Sequence, residues 1–295
     1  MSNLEKAYLK FIKKQEIAGQ PFYDKKNQLK KFYLPLCNKI FTYYKNIDKT
    51  LLIGLSGGQG SGKSTIAHIL KIILQNRYKL NVINFSIDDF YKPHSSRKKM
   101  SKSLHPLFKV RGVPGTHDNK KLYKIIKVLK SKKFYPVKIP KFDKSRDDRL
   151  KKKFWHNIKK KPNIIIFEGW CVGAKPQINK DLINPMNILE KYDDNKLTWR
   201  KKVNNELKTN YKKIFGLIDK KIYLKVPNFK YVLKWRLLQE KKLRFKAKNK
   251  TMNDKEIKRF IMFYERITKH MLKNYKSNDI VVQIDNKHKI QSINK

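Results

Sequence analysis

The chain contains one short segment, residues 57–65, whose residue types and spacing are those of a loop that binds phosphate. In GGQGSGKST, the pattern GxxxxGKS stands between an apolar run and an amphipathic stretch. Glycines let successive backbone N–H groups point at phosphate oxygens, and the start of a following helix adds partial positive charge. Lys63 can then reach the β- and γ-phosphates, and Ser64 can ligate Mg²⁺. We predict that the following residues bind the nucleotide: Gly57, Gly58, Gln59, Gly60, Ser61, Gly62, Lys63, Ser64 and Thr65.

Three acidic residues follow apolar runs in the way that active-site carboxylates follow buried strands. The run INFSIDDFY contains Asp88 and Asp89, and the run NIIIFEGW contains Glu168. At the carboxyl ends of parallel strands, these carboxylates would lie beside the phosphate loop. One of the aspartates can accept the proton of an attacking hydroxyl, while Glu168 can hold Mg²⁺. Helix capping is the structural alternative, and the sequence does not decide which aspartate is the base.

The elements that must position these residues alternate along the chain. Short apolar runs followed by turn or helix signals predict strands at 51–55, 82–87, 163–167, 221–226 and 280–284. Helical patterns occupy 64–75, 120–130, 197–215, 229–242 and 254–274. This alternation predicts an α/β fold, a doubly wound and mainly parallel sheet with helices on both faces. Residues 1–49 are predicted to be a helical extension in front of the domain formed by residues 50–295.

The charge of the chain is its most unusual compositional feature. It has 72 Lys and Arg against 23 Asp and Glu, a formal net charge of +49. Such charge can attract nucleic acid, but the lysines are dispersed along the whole chain and form no separate basic arm. Because only ten of the 72 basic residues are arginine, we interpret the charge as compositional drift. We therefore expect no specific nucleic-acid partner.

The cysteine content and the hydropathy of the chain indicate the cellular compartment in which the protein works. Cys37 and Cys171 form no CxxC pair and are too few for a disulfide framework, which indicates a reducing compartment. Cys171 is interpreted as a small packing residue. No apolar run is long enough for a signal segment or a membrane span. We expect a cytoplasmic protein without a membrane partner, and its oligomeric state stays open.

Several segments together resemble the D-glycerate 3-kinases and related bacterial P-loop kinases, within the group of uridine kinases, pantothenate kinases and phosphoribulokinases. They are GGQGSGKST, SIDDFY, RGVPGTHD with IPKFDKSRDDR, and FEGWCVG. The likeness continues through KVNNELKTNY, WRLLQEKKLR and MNDKEIKRFIMFYERITKHML, and thus covers roughly residues 50–284. The resemblance implies a P-loop NTPase fold of the kinase type with a lid around residues 240–255. It also implies ATP and Mg²⁺ as cofactors and a small hydroxyl-bearing metabolite as acceptor, with D-glycerate as the best guess.

The resemblance also implies roles for individual residues. Lys63, Asp88 and Arg244 are implied to be catalytic, with Asp88 as general base. Arg236 is implied to contact the nucleotide and, with Arg244, to belong to the helix and lid that close over the transferred phosphoryl group. Ser64 and Glu168 are implied to hold Mg²⁺. Substrate binding is implied for Asp89, Tyr91, Arg111, His117, Lys141, Asp143, Lys144 and Arg149.

The sequence departs from the family at one place. Plant-type glycerate kinases have a glycine-bearing stretch in this segment, whereas DKSRDDR is contracted and has Asp148 in place of the glycine. This affects the acceptor half of the site. A uridine- or pantothenate-type kinase therefore stays an alternative. A P-loop nucleic-acid-binding protein and an inactive relative are further alternatives. The cationic segment IPKFDKSRDDR favours an acidic acceptor over a nucleoside or pantothenate. The dispersed lysines argue against a nucleic-acid-binding protein, and the filled catalytic positions argue against an inactive relative.

Overall fold

The structure, a computed structural model, describes residues 2–19, 22–246 and 252–294; for Ile17 and residues 242–246 it describes only the backbone. The strands of the main sheet are mostly short apolar runs, because a strand that is buried on both faces needs apolar side chains on both. The strands are β1 (Leu51–Gly57), β2 (Val82–Ser86), β3 (Val137–Ile139), β4 (Phe142–Asp143), β5 (Asp148–Arg149), β6 (His156–Ile158), β7 (Ile164–Gly169), β8 (Lys220–Lys225), β9 (Ile280–Ile284) and β10 (Ile290–Asn294).

The helices stand between the strands of the main sheet and before the first of them. They are α1 (Asn3–Ile17), α2 (Lys25–Gln28), α3 (Leu34–Lys45), α4 (Lys63–Tyr78), α5 (His94–Ser103), α6 (Asn119–Lys130), α7 (Asn179–Ile183), α8 (Ile188–Tyr192), α9 (Thr198–Glu206), α10 (Lys212–Phe215), α11 (Phe229–Lys246) and α12 (Asp254–Lys273). Two π-helical turns, Leu29–Tyr33 and Leu207–Tyr211, join α2 to α3 and α9 to α10. No helix within the described ranges is both long and apolar enough to cross a membrane.

The main sheet has the strand order β10-β9-β8-β1-β7-β2, and only β10 runs antiparallel to its neighbour. In its register, Ser56 at the end of β1 pairs with Gly169, and Ser86 at the end of β2 pairs with Glu168. The carboxyl ends of β1, β2 and β7 therefore meet at one edge. This edge is where open α/β sheets place their ligands.

Side chains of the sheet alternate between two hydrophobic cores. Leu52 packs in one core with residues of α6, α9 and α12, whereas Ile53 packs in the other with residues of α1, α3 and α4. Because successive side chains of a strand point to opposite faces, helices on both faces are needed to cover them. The doubly wound α/β class predicted from the sequence is thus confirmed. The division into an extension at residues 1–49 and a domain at residues 50–295 stays a prediction.

The five predicted strands agree with the observed ones to within two residues at each end. The predicted helices are also present, and the one predicted at 197–215 contains the π-helical turn Leu207–Tyr211. The sequence analysis did not predict β10 or the two small sheets β3–β6 and β4–β5. The strands of the two small sheets have two or three residues, which is too short for a periodic pattern to stand out. β10 has five residues, but three of them are polar, so no apolar run marks it.

Gly112→Ala should destabilise the fold. Gly112 has φ 132°, and a Cβ there would overlap the hydroxyl of Tyr264. A backbone conformation that alanine rarely adopts and an overpacked contact each cost about 1–3 kcal/mol. We expect the melting temperature to fall by roughly 5 °C or more in thermal unfolding followed by circular dichroism. Gly216→Ala, at an ordinary φ of −66°, is the matched control, and equal shifts in the two variants would contradict the explanation.

Candidate functional site

The phosphate loop connects β1 to α4 at the carboxyl edge of the sheet. Gly60 and Gly62 have φ values of 75° and 84°, so the loop takes the left-handed turns that favour glycine. The Nζ of Lys63 donates a hydrogen bond to the carbonyl oxygen of Gly58 at 3.0 Å. Burial lowers the pKa of Lys63, although Glu168 and other nearby carboxylates oppose this shift. The loop thus places an ammonium group beside the helix start, where phosphate groups bind.

One flank of the loop packs against α11. A Cβ on Gly60 would come within 2.8 Å of the Cβ of Trp235, and His288 lies 2.7 Å from the Gly60 carbonyl oxygen through its Nε2. The rings of Trp235 and His288 lie 4.1 Å apart. Arg236, predicted to contact the nucleotide, forms an ion pair of 2.6 Å with Glu240. Aromatic packing therefore holds the loop, and the nucleotide role of Arg236 stays a prediction.

Polar groups of the loop and of β7 face each other across the strand ends. The hydroxyl of Ser64 donates to Glu168 Oε1 at 2.8 Å. Glu168 is buried, which raises its pKa, while Lys63 opposes the shift. Among the described residues, the hydroxyl oxygen of Ser61 is buried and has no hydrogen-bond partner. Ser64 and Glu168 together offer two oxygen ligands of the kind that Mg²⁺ prefers.

Asp88 and Asp89 lie on a 3-10 turn directly after β2, and they differ in their partners. Asp89 accepts a hydrogen bond from the backbone N–H of Ser86 in a capping box, so the capping alternative holds for this residue. Burial raises the pKa of Asp89 to about 6. The carboxylate of Asp88 accepts hydrogen bonds from the hydroxyl of Tyr91 at 2.8 Å and from Nζ of Lys144 at 2.7 Å. Asp88 is therefore the aspartate whose carboxylate contacts side chains that were predicted to bind the acceptor.

Opposing influences act on the acidity of Asp88. Burial alone would raise its pKa, but the ammonium group of Lys144 and the hydroxyl of Tyr91 together hold the pKa well below its usual range. Lys144 makes the largest of these contributions through its charge and its hydrogen bond. Asp88 is thus ionised at neutral pH, as a general base must be.

His117 is buried beside Asp88 and is held by a residue that the sequence analysis did not identify. Its Nδ1 lies 2.5 Å from the hydroxyl of Tyr211, and its ring stacks on Tyr91 at 4.5 Å. Because the Tyr211 oxygen accepts from the N–H of Gly115, its proton is available to Nδ1. Burial lowers the pKa of His117 to about 3, so the imidazole is neutral. The π-helical turn that delivers Tyr211 falls in the segment KVNNELKTNY, and unusual turns of this kind often mark functional sites.

The hairpin β4–β5 carries Lys144 and is anchored by buried charge. The guanidinium of Arg97, which is 0% exposed, forms an ion pair of 2.9 Å with Asp147, and Arg111 pairs with the same carboxylate. Asp148 accepts a hydrogen bond from the N–H of His94 in the first turn of α5. The residue that replaces the family's glycine therefore joins the hairpin to a helix start. The sequence analysis missed Arg97 because it lies outside every segment with a recognisable motif.

Two further residues that were predicted to bind the acceptor, Asp143 and Lys141, lie on this hairpin or at its start. Asp143 accepts hydrogen bonds from the N–H and hydroxyl of Ser145 and so closes the turn. Lys141 is exposed where the hairpin begins, and its carbonyl oxygen accepts from the N–H of Leu150. Both residues thus lie on the same hairpin as Lys144. Their contact with a substrate stays a prediction.

The guanidinium of Arg149 is directed at protein groups. It donates to Asp118 at 3.1 Å and to the carbonyl oxygens of Phe90 and Tyr91 at 3.3 and 2.8 Å. Asp118 also caps α6 by accepting from the N–H of Lys121. Arg149 therefore ties the hairpin to the turn that carries Asp88, and a direct contact with substrate stays a prediction.

Part of the predicted lid lies outside the described residues. Residues 247–251 lie outside them, and Arg244 lies on the last turn of α11, where side chains are not described. Elsewhere, Arg266 forms an ion pair of 2.6 Å with the buried Glu190, which is a structural use of a rare arginine. Cys171 is buried, and burial raises the pKa of its thiol, in keeping with a packing residue.

Comparisons with known proteins agree on one family. The family model described as "Phosphoribulokinase / Uridine kinase family" matches residues 52–233 of the chain. The uncharacterized kinase mug58 of Schizosaccharomyces pombe is 34% identical over 224 residues, which are 73% of this chain and 79% of that protein. The chloroplastic D-glycerate 3-kinase of Arabidopsis thaliana is 28% identical over 222 residues, which are 72% of this chain. The chain spans only 46% of the plant protein.

A solved structure extends the similarity over nearly the whole chain. The D-glycerate 3-kinase from Cryptococcus neoformans superposes with a TM-score of 0.71 at 24% identity, covering 95% of this chain and 98% of that one. At this identity the likeness concerns the fold. It includes the kinase-type arrangement of the P-loop fold that the sequence resemblance implied.

Proposed function

Because this chain belongs to the phosphoribulokinase and uridine kinase family, we propose that it transfers the γ-phosphoryl group of ATP to a hydroxyl of D-glycerate, giving 3-phosphoglycerate. Membership makes the chain a P-loop kinase with a small hydroxyl-bearing acceptor. The choice of D-glycerate is supported by the relationship to the plant D-glycerate 3-kinase. It is also supported by the charge on the acceptor side of the site.

The nucleotide half of the proposal is supported by the loop between β1 and α4. Lys63 would neutralise charge on the β- and γ-phosphates as it develops during transfer. Ser64 and Glu168 would hold Mg²⁺, which screens the phosphate oxygens from the attacking hydroxyl. The described residues contain no group of three or more His, Cys, Asp or Glu side chains that could hold a metal alone.

The observation that carries the acceptor assignment is the contact between Lys144 and Asp88. An ammonium group stands 2.7 Å from the carboxylate proposed as base, at the place where the acceptor must present its hydroxyl. A hydroxy acid carries a carboxylate within a few ångströms of that hydroxyl, and a cation at this distance can bind it. A neutral nucleoside has no group that would use this charge.

The chemistry that follows is proton transfer and in-line displacement. Asp88 accepts the proton of the acceptor hydroxyl as that oxygen forms its bond to the γ-phosphorus and the bond to ADP breaks. The hydroxyl of Tyr91 keeps one carboxylate oxygen of Asp88 in place. His117, neutral and held by Tyr211, supports the ring of Tyr91.

The proposal is tested by the identity of the product. Purified protein incubated with ATP, Mg²⁺ and D-glycerate should give 3-phosphoglycerate, identified by ³¹P NMR against authentic 2- and 3-phosphoglycerate. L-glycerate at the same concentration is the stereochemical control and should react much more slowly. Absence of any phosphorylated glycerate under conditions where another acceptor is phosphorylated would overturn the acceptor assignment.

A further inference from the structure

Four basic residues meet around the hairpin β4–β5, and one differs from the others in its partners. Arg97 donates to backbone carbonyl oxygens and pairs with Asp147. Arg111 pairs with Asp147 as well, and Arg149 binds protein groups through both of its terminal nitrogens. Lys144 instead extends to a residue of the reaction centre. Its side chain is 62% exposed although its Nζ lies against the carboxylate of Asp88.

The backbone that carries Lys144 is fixed, while its side chain is free to exchange partners. Asp147 and Asp148 anchor one side of the hairpin to a buried arginine and a helix start, and Asp143 closes the turn. A lysine has a flexible four-carbon stem and a compact charge that can change partners by rotation alone. Solvent reaches the lysine side of this ion pair, and solvent screening weakens such pairs. A second carboxylate arriving nearby can therefore compete for the ammonium group.

We propose that Lys144 masks Asp88 in the empty site and moves to the carboxylate of an incoming hydroxy acid, so that binding of the correct acceptor uncovers the base. Asp88 then accepts the proton of the acceptor hydroxyl, whose oxygen bonds to the γ-phosphorus as ADP departs. This inference rests on the proposed function and adds a specificity mechanism to it. Lys144 is a specificity-determining residue in this account.

The charges around Asp88 support the exchange. The charged side chains that act on it include Lys63 from the phosphate loop and Glu168 from β7. Burial raises the pKa of Asp88, and Lys144 is the main influence that lowers it. When Lys144 leaves, the proton affinity of the carboxylate rises and it becomes a stronger base. A neutral acceptor or water offers nothing to draw the ammonium group away.

The first test measures ATP hydrolysis without any acceptor. Lys144→Met keeps the stem of the side chain, removes its charge and leaves Asp88 uncovered, so water can now be deprotonated. We expect acceptor-free ADP release to rise about tenfold over wild type, a part of the 10²–10⁴-fold that a positioned base contributes. Arg146→Met is the matched control because Arg146 lies on the same turn, is 80% exposed and pairs only loosely with Asp143 at 3.7 Å. Unchanged or reduced hydrolysis in Lys144→Met would overturn the masking.

The second test compares D-glycerate with glycerol, which has the same carbon chain without the carboxylate. In Lys144→Met we expect kcat/KM for D-glycerate to fall about 100-fold, since a charge-assisted contact is lost, while that for glycerol stays equal or rises. A parallel fall for both acceptors would overturn the specificity role. If wild type does not phosphorylate D-glycerate, the proposed function fails, and the hydrolysis measurement still decides whether Lys144 masks Asp88.

Discussion

Replacing Lys63 with alanine should abolish ATP turnover and leave the fold intact. The ammonium group of Lys63 donates a hydrogen bond to the loop carbonyl oxygen of Gly58. Its proposed partners are the phosphates, where removing transition-state stabilisation costs several kcal/mol, or on the order of a hundredfold or more in rate. The measurement is ADP release, with circular dichroism to check folding.

The control for Lys63→Ala is Lys71→Ala, which removes a charge from the same helix α4 two turns beyond the loop. We expect this variant to keep turnover within about threefold of wild type, because a charge two turns beyond the loop acts only weakly on the phosphates. Wild-type turnover in Lys63→Ala would mean that the loop does not bind the reacting phosphates. Loss of the folded signal in Lys63→Ala would show that the lysine has a structural role instead.

Asp88→Asn should suppress turnover with little change in ATP affinity. Asparagine keeps the shape of the side chain but cannot accept the acceptor's proton, and such a loss typically costs about 10²–10⁴-fold in rate. ATP is bound on the other side of the site by the phosphate loop, so its Kd should change by less than about threefold. The measurements are steady-state ADP release and nucleotide binding by fluorescence titration.

Asp89→Asn is the informative comparison for that variant. Asp89 caps the turn after β2 by accepting from the backbone N–H of Ser86. Its replacement should therefore lower the stability of the fold and change the rate of proton transfer little. If Asp89→Asn removed activity while Asp88→Asn remained active, the assignment of the base would have to be exchanged between the two residues.

The parts of this molecule that could be predicted from sequence are those whose signals are local. The strand β1, the glycine turns and the helix α4 are adjacent in the chain, and each has a pattern of its own. The strand ends that carry Asp88 and Glu168 were also predictable, because a buried parallel strand is an apolar run with a polar residue after it. Their meeting at one edge follows from the parallel topology, which the alternation of strands and helices implies.

The parts that could not be predicted depend on contacts between distant segments. The pairing of Lys144 with Asp88 joins residues 56 positions apart, and Tyr211 reaches His117 across 94 positions. Arg97 stands beside two lysines in a segment without a motif, yet the fold buries it completely. A local sequence pattern does not predict which charged residue a distant segment of the chain will bury. The acceptor half of the site was consequently less well defined by sequence than the nucleotide half.

The most direct test of the central claim is ADP release measured side by side with D-glycerate, uridine and pantothenate on the purified protein. Each acceptor is supplied at several concentrations with saturating ATP and Mg²⁺, and the acceptor-free rate is subtracted. We expect D-glycerate to give the highest kcat/KM by about tenfold or more, because its carboxylate lies close enough to its hydroxyl to draw Lys144 from Asp88. Uridine has no carboxylate, and that of pantothenate lies at the far end of a longer chain. Turnover with uridine or pantothenate and none with D-glycerate would contradict it and leave only the kinase class standing.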